Sequence, residues 1–478
     1  MEVTSGKAIN SVLWKFLERS SVQVTQFVIT IILARILTPS EYGIIALIMV
    51  FINICQVIVD GGLNTALIQK KNADEVDFST IFYFGLFMSF GLYVLLYVVA
   101  PLIASFYAQE ELVPVVRVMS LILFPFAVNS VQSAYVSRNF LFKKMFLCNI
   151  VSVITSGIVG IICAYTGWGV WALVAQMLVA QISLTIIMLF VLRWRPLFFF
   201  SVDSFNSLFS YGWKIFSTNV LIAIFANLRK LIVGKFYTPE SLAYFERGEH
   251  MPNLVITNIQ SSIQSVMFPV FSKEQGNRTR IKQMLRRSTK MSCFIIYPLM
   301  MLLIVSAKPL VLLLLTEKWL PTVAFIQIFC IANFFRPITI PNLEAIKALG
   351  YSGITLKLEV IKKIVDISLL VSAMFFGVYA IAWSIVLFNF TCVFINLYPN
   401  KRLLDYGIAE QIKDAVPTLL LTLIMGMVVF WIQFLNLPLI VILFTQYVVG
   451  ALFYVYLCFV VREESFVYLK NMILNRFK

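Results

Sequence analysis

A row of polar side chains repeats at helical spacing between residues 246 and 264 of an otherwise apolar chain. It comprises Glu246, Glu249, His250, Asn253, Thr257, Gln260 and Gln264. At about 100° per residue these side chains share one helical face. Carboxylates and amides on such a face bind hydroxyl groups or cations, or hydrogen-bond a neighbouring helix. Because the row is so long, we expect it to line a water-filled cavity.

Four further segments place charged groups among apolar residues. A charge near the middle of a bilayer costs roughly 2.5–3.5 kcal/mol, so such groups normally face a protein interior and mark a functional region. The charged groups are Lys15, Glu18 and Arg19 in residues 10–36, where the neutral Gln26 shares their face, Lys214, Arg229 and Lys230 in residues 209–236, Arg336 beside Pro337, and Glu359, Lys362, Lys363 and Asp366 in residues 356–376.

Each of these groups also has a structural interpretation. Lys15 and Arg19 could instead reach lipid headgroups at the cytoplasmic end of their helix. Counting back from the turn at Thr238-Pro239 sets Arg229 opposite Glu249, which predicts either a structural salt bridge or part of a site. Both interpretations stay open at this point.

The composition is that of a membrane protein. Apolar residues make up 60% of 478 positions, charged residues 13%, and the mean hydropathy is +0.90. The apolar runs are about 20 residues or longer, which predicts helices rather than the shorter strands of a barrel. We predict an all-α polytopic protein whose first helix is retained rather than cleaved as a signal. The fourteen predicted spans are 10–36, 42–68, 79–104, 113–136, 146–165, 170–193, 209–236, 241–268, 290–308, 320–345, 356–376, 379–398, 414–434 and 438–461.

The chain also repeats itself. Thr38-Pro39 returns as Thr238-Pro239, each at the end of an apolar segment, and Pro101, Pro114 and residues 169–173 return 207 or 208 positions later. With repeats starting at spans one and seven, each holds six helices, so their symmetry axis lies along the membrane normal. We predict a lobe at 1–200, a second lobe at 201–405, and two extra helices with a basic tail at 406–478.

Basic residues predict the orientation. With both termini in the cytoplasm, 23 lysines and arginines fall on cytoplasmic segments and four on external ends. The net charge of +15 then reflects this asymmetry and contact with anionic lipids, with no nucleic-acid partner. We expect the basic stretch 271–289 to form a surface helix between spans eight and nine.

Several chemistries are disfavoured by what the chain lacks. The seven cysteines are scattered singly with no Cys-x-x-Cys, which is typical of small buried side chains. His250 is the only histidine, so a histidine metal site or catalytic triad is excluded. The predicted external loops are too short for an active-site domain. We expect the protein to bind no cofactor and no metal, and to have no enzymatic activity.

Two short motifs carry a family resemblance. The run from Ala34 to Gly43 (ARILTPSEYG), followed by Asp60-Gly61-Gly62-Leu63, resembles the opening of Wzx-type polysaccharide transporters of the multidrug/oligosaccharidyl-lipid/polysaccharide (MOP) exporter superfamily. The resemblance covers essentially the whole chain. It implies two six-helix lobes in a V and export by alternating access of an undecaprenyl-diphosphate-linked oligosaccharide across a bacterial inner membrane, coupled to ions or membrane potential. Such carriers serve O-antigen, capsule and exopolysaccharide synthesis, beside the polymerase and glycosyltransferases of the same pathway.

The resemblance offers no residue motif for substrate, so the candidate site rests on the helical faces. We predict that Lys15, Arg19, Lys214, Arg229 and Arg336 bind the diphosphate, and that Gln26, Asn253 and Gln260 help to line the sugar cavity. The ion-coupling candidates are Glu18, Glu246, Glu249 and Asp366. The alternatives are a cation-coupled multidrug exporter of the same superfamily and a membrane glycosyltransferase or polymerase acting on the same lipid carrier.

Overall fold

The structure, a computed structural model, describes residues 5–192 and 194–476, which form eighteen α-helices and three short 3-10 turns without a β-strand. The helices are α1 (Ser5–Ile36), α2 (Pro39–Asp60), α3 (Leu63–Gln69), α4 (Glu75–Tyr107), α5 (Leu112–Met119), α6 (Leu123–Arg138), α7 (Phe142–Tyr165), α8 (Val170–Val191), α9 (Val202–Phe236), α10 (Pro239–Lys273), α11 (Arg278–Leu314), α12 (Thr322–Asn333), α13 (Arg336–Ala348), α14 (Ser352–Ala373), α15 (Val378–Leu404), α16 (Ile408–Trp431), α17 (Leu439–Val460) and α18 (Glu464–Arg476).

The prediction of an all-helical polytopic membrane protein is confirmed. Eleven helical segments of the described chain are long and apolar enough to cross a membrane, with α2–α3, α5–α6 and α12–α13 each counting as one. Three more helices, α1, α10 and α14, are as long but too polar to qualify. These three carry polar rows found in the sequence. The count of fourteen spans stays a prediction.

The repeated Thr-Pro pair starts a helix in both places. The Thr38 side chain accepts a hydrogen bond from the Glu41 amide, and the Glu41 carboxylate accepts one from the Thr38 amide, which forms a capping box around Pro39. Thr238 likewise accepts from the Ser241 amide at 3.2 Å. Proline suits the first helical turn because that position needs no amide hydrogen. The duplication therefore marks the same helix start twice.

Besides the α2–α3 span, two further spans are interrupted, one in each compact unit. A 3-10 turn, Ser120–Ile122, separates α5 from α6, and Phe334 and Phe335 separate α12 from α13. Pro337 follows the second break as a first-turn residue of α13. A side-chain amide reaches the second break, where Asn389 donates to the Ala332 carbonyl at 3.0 Å.

One expectation is wrong. The basic stretch 271–289 is no separate surface helix, because α10 continues to Lys273 and α11 begins at Arg278 and runs unbroken to Leu314. Asn277 caps α11 by accepting a hydrogen bond from the Arg280 amide at 3.0 Å. No proline or glycine follows until Pro298, so the helix has no reason to stop at the membrane surface.

The chain divides into two compact units, Met1–Ala243 and Tyr244–Lys478. In the first unit, apolar residues of α3, α4 and α6 pack around Trp194. In the second, α11 packs against α16 and α17 through Leu302, Met425 and Tyr454. The predicted division into lobes of six helices, and the axis relating them, stay predictions.

Candidate functional site

Helix α1 has two different exposed faces. Leu17, Val24 and Val28 form an apolar one, which suits lipid. The exposed polar side chains Lys15, Arg19 and Gln26 lie about half a turn away. A polar face opposite a lipid-like face indicates that α1 borders water or polar ligand on that side.

Glu18 lies on a third, buried face of α1, against α7. Its side chain is 8% exposed. One carboxylate oxygen accepts from Lys15 Nζ at 2.7 Å and the other from Asn149 Nδ2 at 2.8 Å. Nearby, Ile29 packs against Gly157 of α7. These contacts give Glu18 a packing role between two helices, which its sequence position alone did not indicate.

The cations of α9 differ in their surroundings. Lys214 is exposed near the beginning of the helix, whereas Arg229 and Lys230 are half-buried. The expected pairing of Arg229 with Glu249 stays a prediction, since the two residues belong to different compact units.

The polar row of α10 flanks the buried face of that helix. Phe245, Pro252 and Ile256 are buried in the second unit, and the Phe245 ring contacts Phe329 at 5.1 Å between centroids. The polar side chains lie to one side of this buried face. Glu246, Glu249, Asn253 and Gln260 are half-buried, while His250 and Thr257 are exposed. The row is therefore a partly open polar surface.

Two predicted site residues of the second unit lie within electrostatic range of each other. Arg336, the first residue of α13, is half-buried at the break after α12. The carboxylate of Glu249 is near enough for its charge to act on the Arg336 guanidinium. Helix α10 packs closely on α12 at this level, because a Cβ on Gly248 would collide with Phe325. An arginine beside a carboxylate can bind a phosphate once the carboxylate is neutralised.

Helix α14 contributes a buried group of charges. Lys362 and Asp366 are each 8% exposed, and Lys362 Nζ lies 2.5 Å from Glu359 Oε1 one turn away. Both Lys362 and Asp366 are within electrostatic range of Cys392 on α15. The α14 charges therefore face α15 inside the second unit.

A groove of about 390 Å³ between α11 and α18 escaped the sequence reasoning. Arg287 stacks on the Tyr468 ring at 3.2 Å from its centroid. Arg286 binds Asp414 through Nε at 2.9 and 3.0 Å. Burial, and then the hydrogen bond that it donates to Asp414, raise the pKa of Tyr406. One wall of this groove is α18, which was not foreseen because the sequence was interpreted there as a basic tail.

The cysteines behave as expected. Six are buried and Cys163 is half-buried, and all seven are free thiols. In the described part of the chain, no three His, Cys, Asp or Glu side chains are grouped closely enough to hold a metal ion.

Long apolar helices that carry polar faces, with three spans interrupted, define a polytopic membrane protein and are typical of transporters. The fold matches the lipid II flippase MurJ in an inward closed conformation, with a TM-score of 0.76 and 16% identity over 97% of this chain and 100% of the other. It also matches an inward-facing multidrug resistance MATE family transporter of the MOP superfamily, with a TM-score of 0.60 and 14% identity over 83% and 99%.

Sequence comparison gives the family. The model of the family described as "Polysaccharide biosynthesis protein" matches residues 32–324, and the chain belongs to that family. It is 23% identical to the teichuronic acid biosynthesis protein TuaB of Bacillus subtilis (strain 168), over 88% of both chains. It is 20% identical to the lipopolysaccharide biosynthesis protein WzxC of Escherichia coli (strain K12), over 69% of this chain and 68% of the other. The predicted family resemblance is confirmed.

Proposed function

We propose that this protein flips an undecaprenyl-diphosphate-linked oligosaccharide from the inner to the outer leaflet of a bacterial cytoplasmic membrane. Transport by alternating access would serve polysaccharide synthesis, driven by an ion gradient or the membrane potential. The observation that carries the proposal is the full-length similarity to the fold of a lipid II flippase, in a chain of a polysaccharide biosynthesis family.

The polar faces supply what such a substrate needs. The sugar and the diphosphate must leave water, whereas the polyprenyl tail can remain in lipid. We assign the diphosphate to Arg336 with Lys15, Arg19, Lys214 and Arg229, because guanidinium and ammonium groups bind phosphate oxygens. We assign sugar hydroxyls to Gln26, Asn253 and Gln260. Glu246, Glu249 and Asp366 are the coupling carboxylates.

Membrane placement and partners are part of the same proposal. Both termini lie in the cytoplasm, as the distribution of basic residues predicts. The α11–α18 groove then faces the inner leaflet, where Arg287 can contact anionic lipid headgroups. The polymerase and glycosyltransferases of the same pathway are the expected protein partners.

The test uses a bacterial strain deleted for this protein. Lipid-linked sugar intermediates are extracted, and their leaflet is assigned by accessibility to an impermeant glycosidase or lectin. We expect completed intermediates to accumulate on the cytoplasmic face. The wild-type gene should relieve this accumulation. Arg336→Ala should slow relief about 10- to 100-fold, because a lost charge-assisted hydrogen bond costs roughly 1.5–3 kcal/mol.

The controls separate the site from the function. Glu249→Gln should impair relief, whereas Glu240→Gln, an exposed glutamate in the first turn of the same helix, should not. Each variant carries an epitope tag, and equal amounts of tagged protein in the membrane show that a defect is not caused by misfolding. Full relief by both Arg336→Ala and Glu249→Gln would reject the site assignment and leave the flippase proposal standing. Completed but unpolymerised intermediates already on the outer face would reject the flippase proposal and favour an enzyme.

A further inference from the structure

We propose that the first compact unit binds an anionic phospholipid on the surface formed by α4 and α5, with the guanidinium of Arg117 on the lipid phosphate. This surface lies next to the α4–α5 turn, which faces the outer leaflet in the predicted orientation. It is separate from the transport site described above, and the inference does not depend on which substrate the protein carries.

A proline in α4 explains the position of Arg117. Pro101 lies inside α4. It has no amide hydrogen for the carbonyl of Tyr97, which a regular helix would bond from four residues further along. Arg117 of α5 supplies a replacement, because its Nε donates to the Tyr97 carbonyl at 3.4 Å. The guanidinium also lies over the Tyr97 ring, 4.2 Å from the ring centroid.

The rest of the guanidinium has no acceptor in the protein. Within residues 5–192 and 194–476, Nη1 and Nη2 of Arg117 form no hydrogen bond, and no carboxylate forms an ion pair with this side chain. These two nitrogens carry four of the five N–H groups of an arginine, in the planar fork that binds two phosphate oxygens. A half-buried cation in a membrane span therefore lacks a counter-ion, which an anion from outside the protein can supply.

Arg117 lies at the depth of lipid phosphates. It is the sixth residue of α5, the helix that opens the membrane span Leu112–Arg138. At 1.5 Å per residue, this places it about 7.5 Å from the start of the span. The headgroup layer on each side of a bilayer is about 5–7 Å thick. A phosphate in this layer can reach the guanidinium without leaving its own depth.

Exposed apolar side chains continue from Arg117 toward the middle of the bilayer. Leu121, four positions after Arg117, is exposed one turn deeper. On α4, Phe90 and Val94 are exposed on the side of the helix that carries Tyr97, and they too lie deeper. Acyl chains can pack on these side chains while the phosphate contacts Arg117. The surface thus has a cationic end and an apolar end, which match the two parts of a phospholipid.

A single guanidinium selects the class of lipid. It offsets the one negative charge of the phosphodiester in a lipid such as phosphatidylglycerol. Phosphatidylcholine would bring its own cation next to Arg117. Inorganic phosphate would leave the apolar part of the surface without acyl chains. The occupant that fits both parts is an anionic phospholipid.

The test uses the purified full-length protein in phosphatidylcholine nanodiscs that contain a trace of phosphatidylglycerol with a photoactivatable diazirine in one acyl chain. After irradiation, labelled peptides are identified by mass spectrometry. We expect labelling within residues 90–121 that unlabelled phosphatidylglycerol suppresses and that inorganic phosphate does not. The same diazirine chain on phosphatidylcholine should label this segment about fivefold less.

The variants separate lipid binding from the structural role of Arg117. Arg117→Gln removes the charge and should lower the labelling about tenfold or more. Pro101→Ala gives the Tyr97 carbonyl a backbone donor and should keep the labelling. The double variant Pro101→Ala/Arg117→Gln therefore has a satisfied helix and should still lose the labelling. Lys71→Gln, which removes an exposed charge from the α3–α4 turn at the other end of α4, should label like the wild type.

Three outcomes would overturn the proposal. They are undiminished labelling of a folded Pro101→Ala/Arg117→Gln protein, equal labelling by the phosphatidylcholine probe, and suppression of the labelling by inorganic phosphate. Because no flipping is measured, failure here is distinct from failure of the proposed function.

Discussion

Single residues with the same sequence signature have different surroundings in this protein. Glu18 and Glu249 both interrupt apolar helices, and both looked suited to ion coupling. Glu18 is buried against α7 between Lys15 and Asn149, whereas Glu249 lies half-buried on a partly open face near Arg336. We therefore expect Glu18 to stabilise the helix pair and Glu249 to take part in transport.

Variants of Glu18 test this distinction. Glu18→Gln retains an acceptor for Asn149 and should keep both folding and transport. Glu18→Ala should lower stability by about 1–3 kcal/mol, because the half-buried Asn149 amide loses its partner. Thermal unfolding in detergent and relief of intermediate accumulation are the two measurements. Loss of transport in a stably folded Glu18→Gln protein would return Glu18 to the coupling carboxylates.

At the scale of elements, the close packing of α10 on α12 positions the part of the candidate site that lies in the second unit. Gly248 lets α10 lie against α12, and Glu249 beside it acts electrostatically on Arg336, the first residue of α13. A side chain at that position has no room, because Phe325 is in contact through its backbone as well as its Cβ.

Gly248→Ala should therefore destabilise the protein by about 1–3 kcal/mol through overpacking. Its matched control is Gly353→Ala near the start of α14, where a Cβ would meet nothing within 4 Å. That change should be neutral or stabilise by about 0.4–1 kcal/mol, because it restricts the unfolded chain. Thermal unfolding midpoints compare the two variants, and equal midpoints would contradict the packing argument.

The α11–α18 groove makes a separate prediction about lipid. Phosphatidylglycerol should raise the unfolding midpoint of the wild type more than phosphatidylcholine does, because Arg287 offers a cation stacked on Tyr468. Arg287→Ala should lose much of this difference. Arg278→Ala, an exposed arginine in the first turn of the same helix, should retain it. An unchanged response in Arg287→Ala would remove the groove from lipid binding.

At the scale of the whole molecule, the distribution of charge predicts how the chain crosses the membrane. The turn between α3 and α4 should be cytoplasmic and the turn between α4 and α5 external. Both turns are exposed at Asn72 and Glu110, so each can carry a reporter cysteine.

We expect Glu110→Cys to react with an impermeant maleimide in intact spheroplasts, and Asn72→Cys to react only after permeabilisation. The unaltered protein is the control, since six of its seven cysteines are buried. Labelling in the reverse order would invert the orientation. It would also put the α11–α18 groove on the wrong side for inner-leaflet lipid.

Much of this protein follows from short-range patterns. Hydropathy predicts helices in a membrane because backbone groups there must bond within their own segment. The repeated Thr-Pro pairs mark where two apolar segments end, and the spacing of Glu246 to Gln264 predicts one polar face, because both depend on residues a few positions apart. The prediction of a separate surface helix at 271–289 was wrong, because α11 continues from this segment into the membrane span. Where a helix ends depends on capping and packing as well as on hydropathy.

Which polar groups meet depends on residues far apart in sequence, and only the tertiary structure decided it. Asn149 reaches Glu18 across 131 positions, and Ser130 reaches Asp60 across 70. The periodicity of a single helix cannot predict contacts between residues so far apart in sequence. Each such contact depends on how two helices pack and rotate against each other. The amino-acid sequence alone determined the class of protein and the polar faces of its helices. Tertiary packing decided which of those polar groups are structural bonds and which remain open to a ligand.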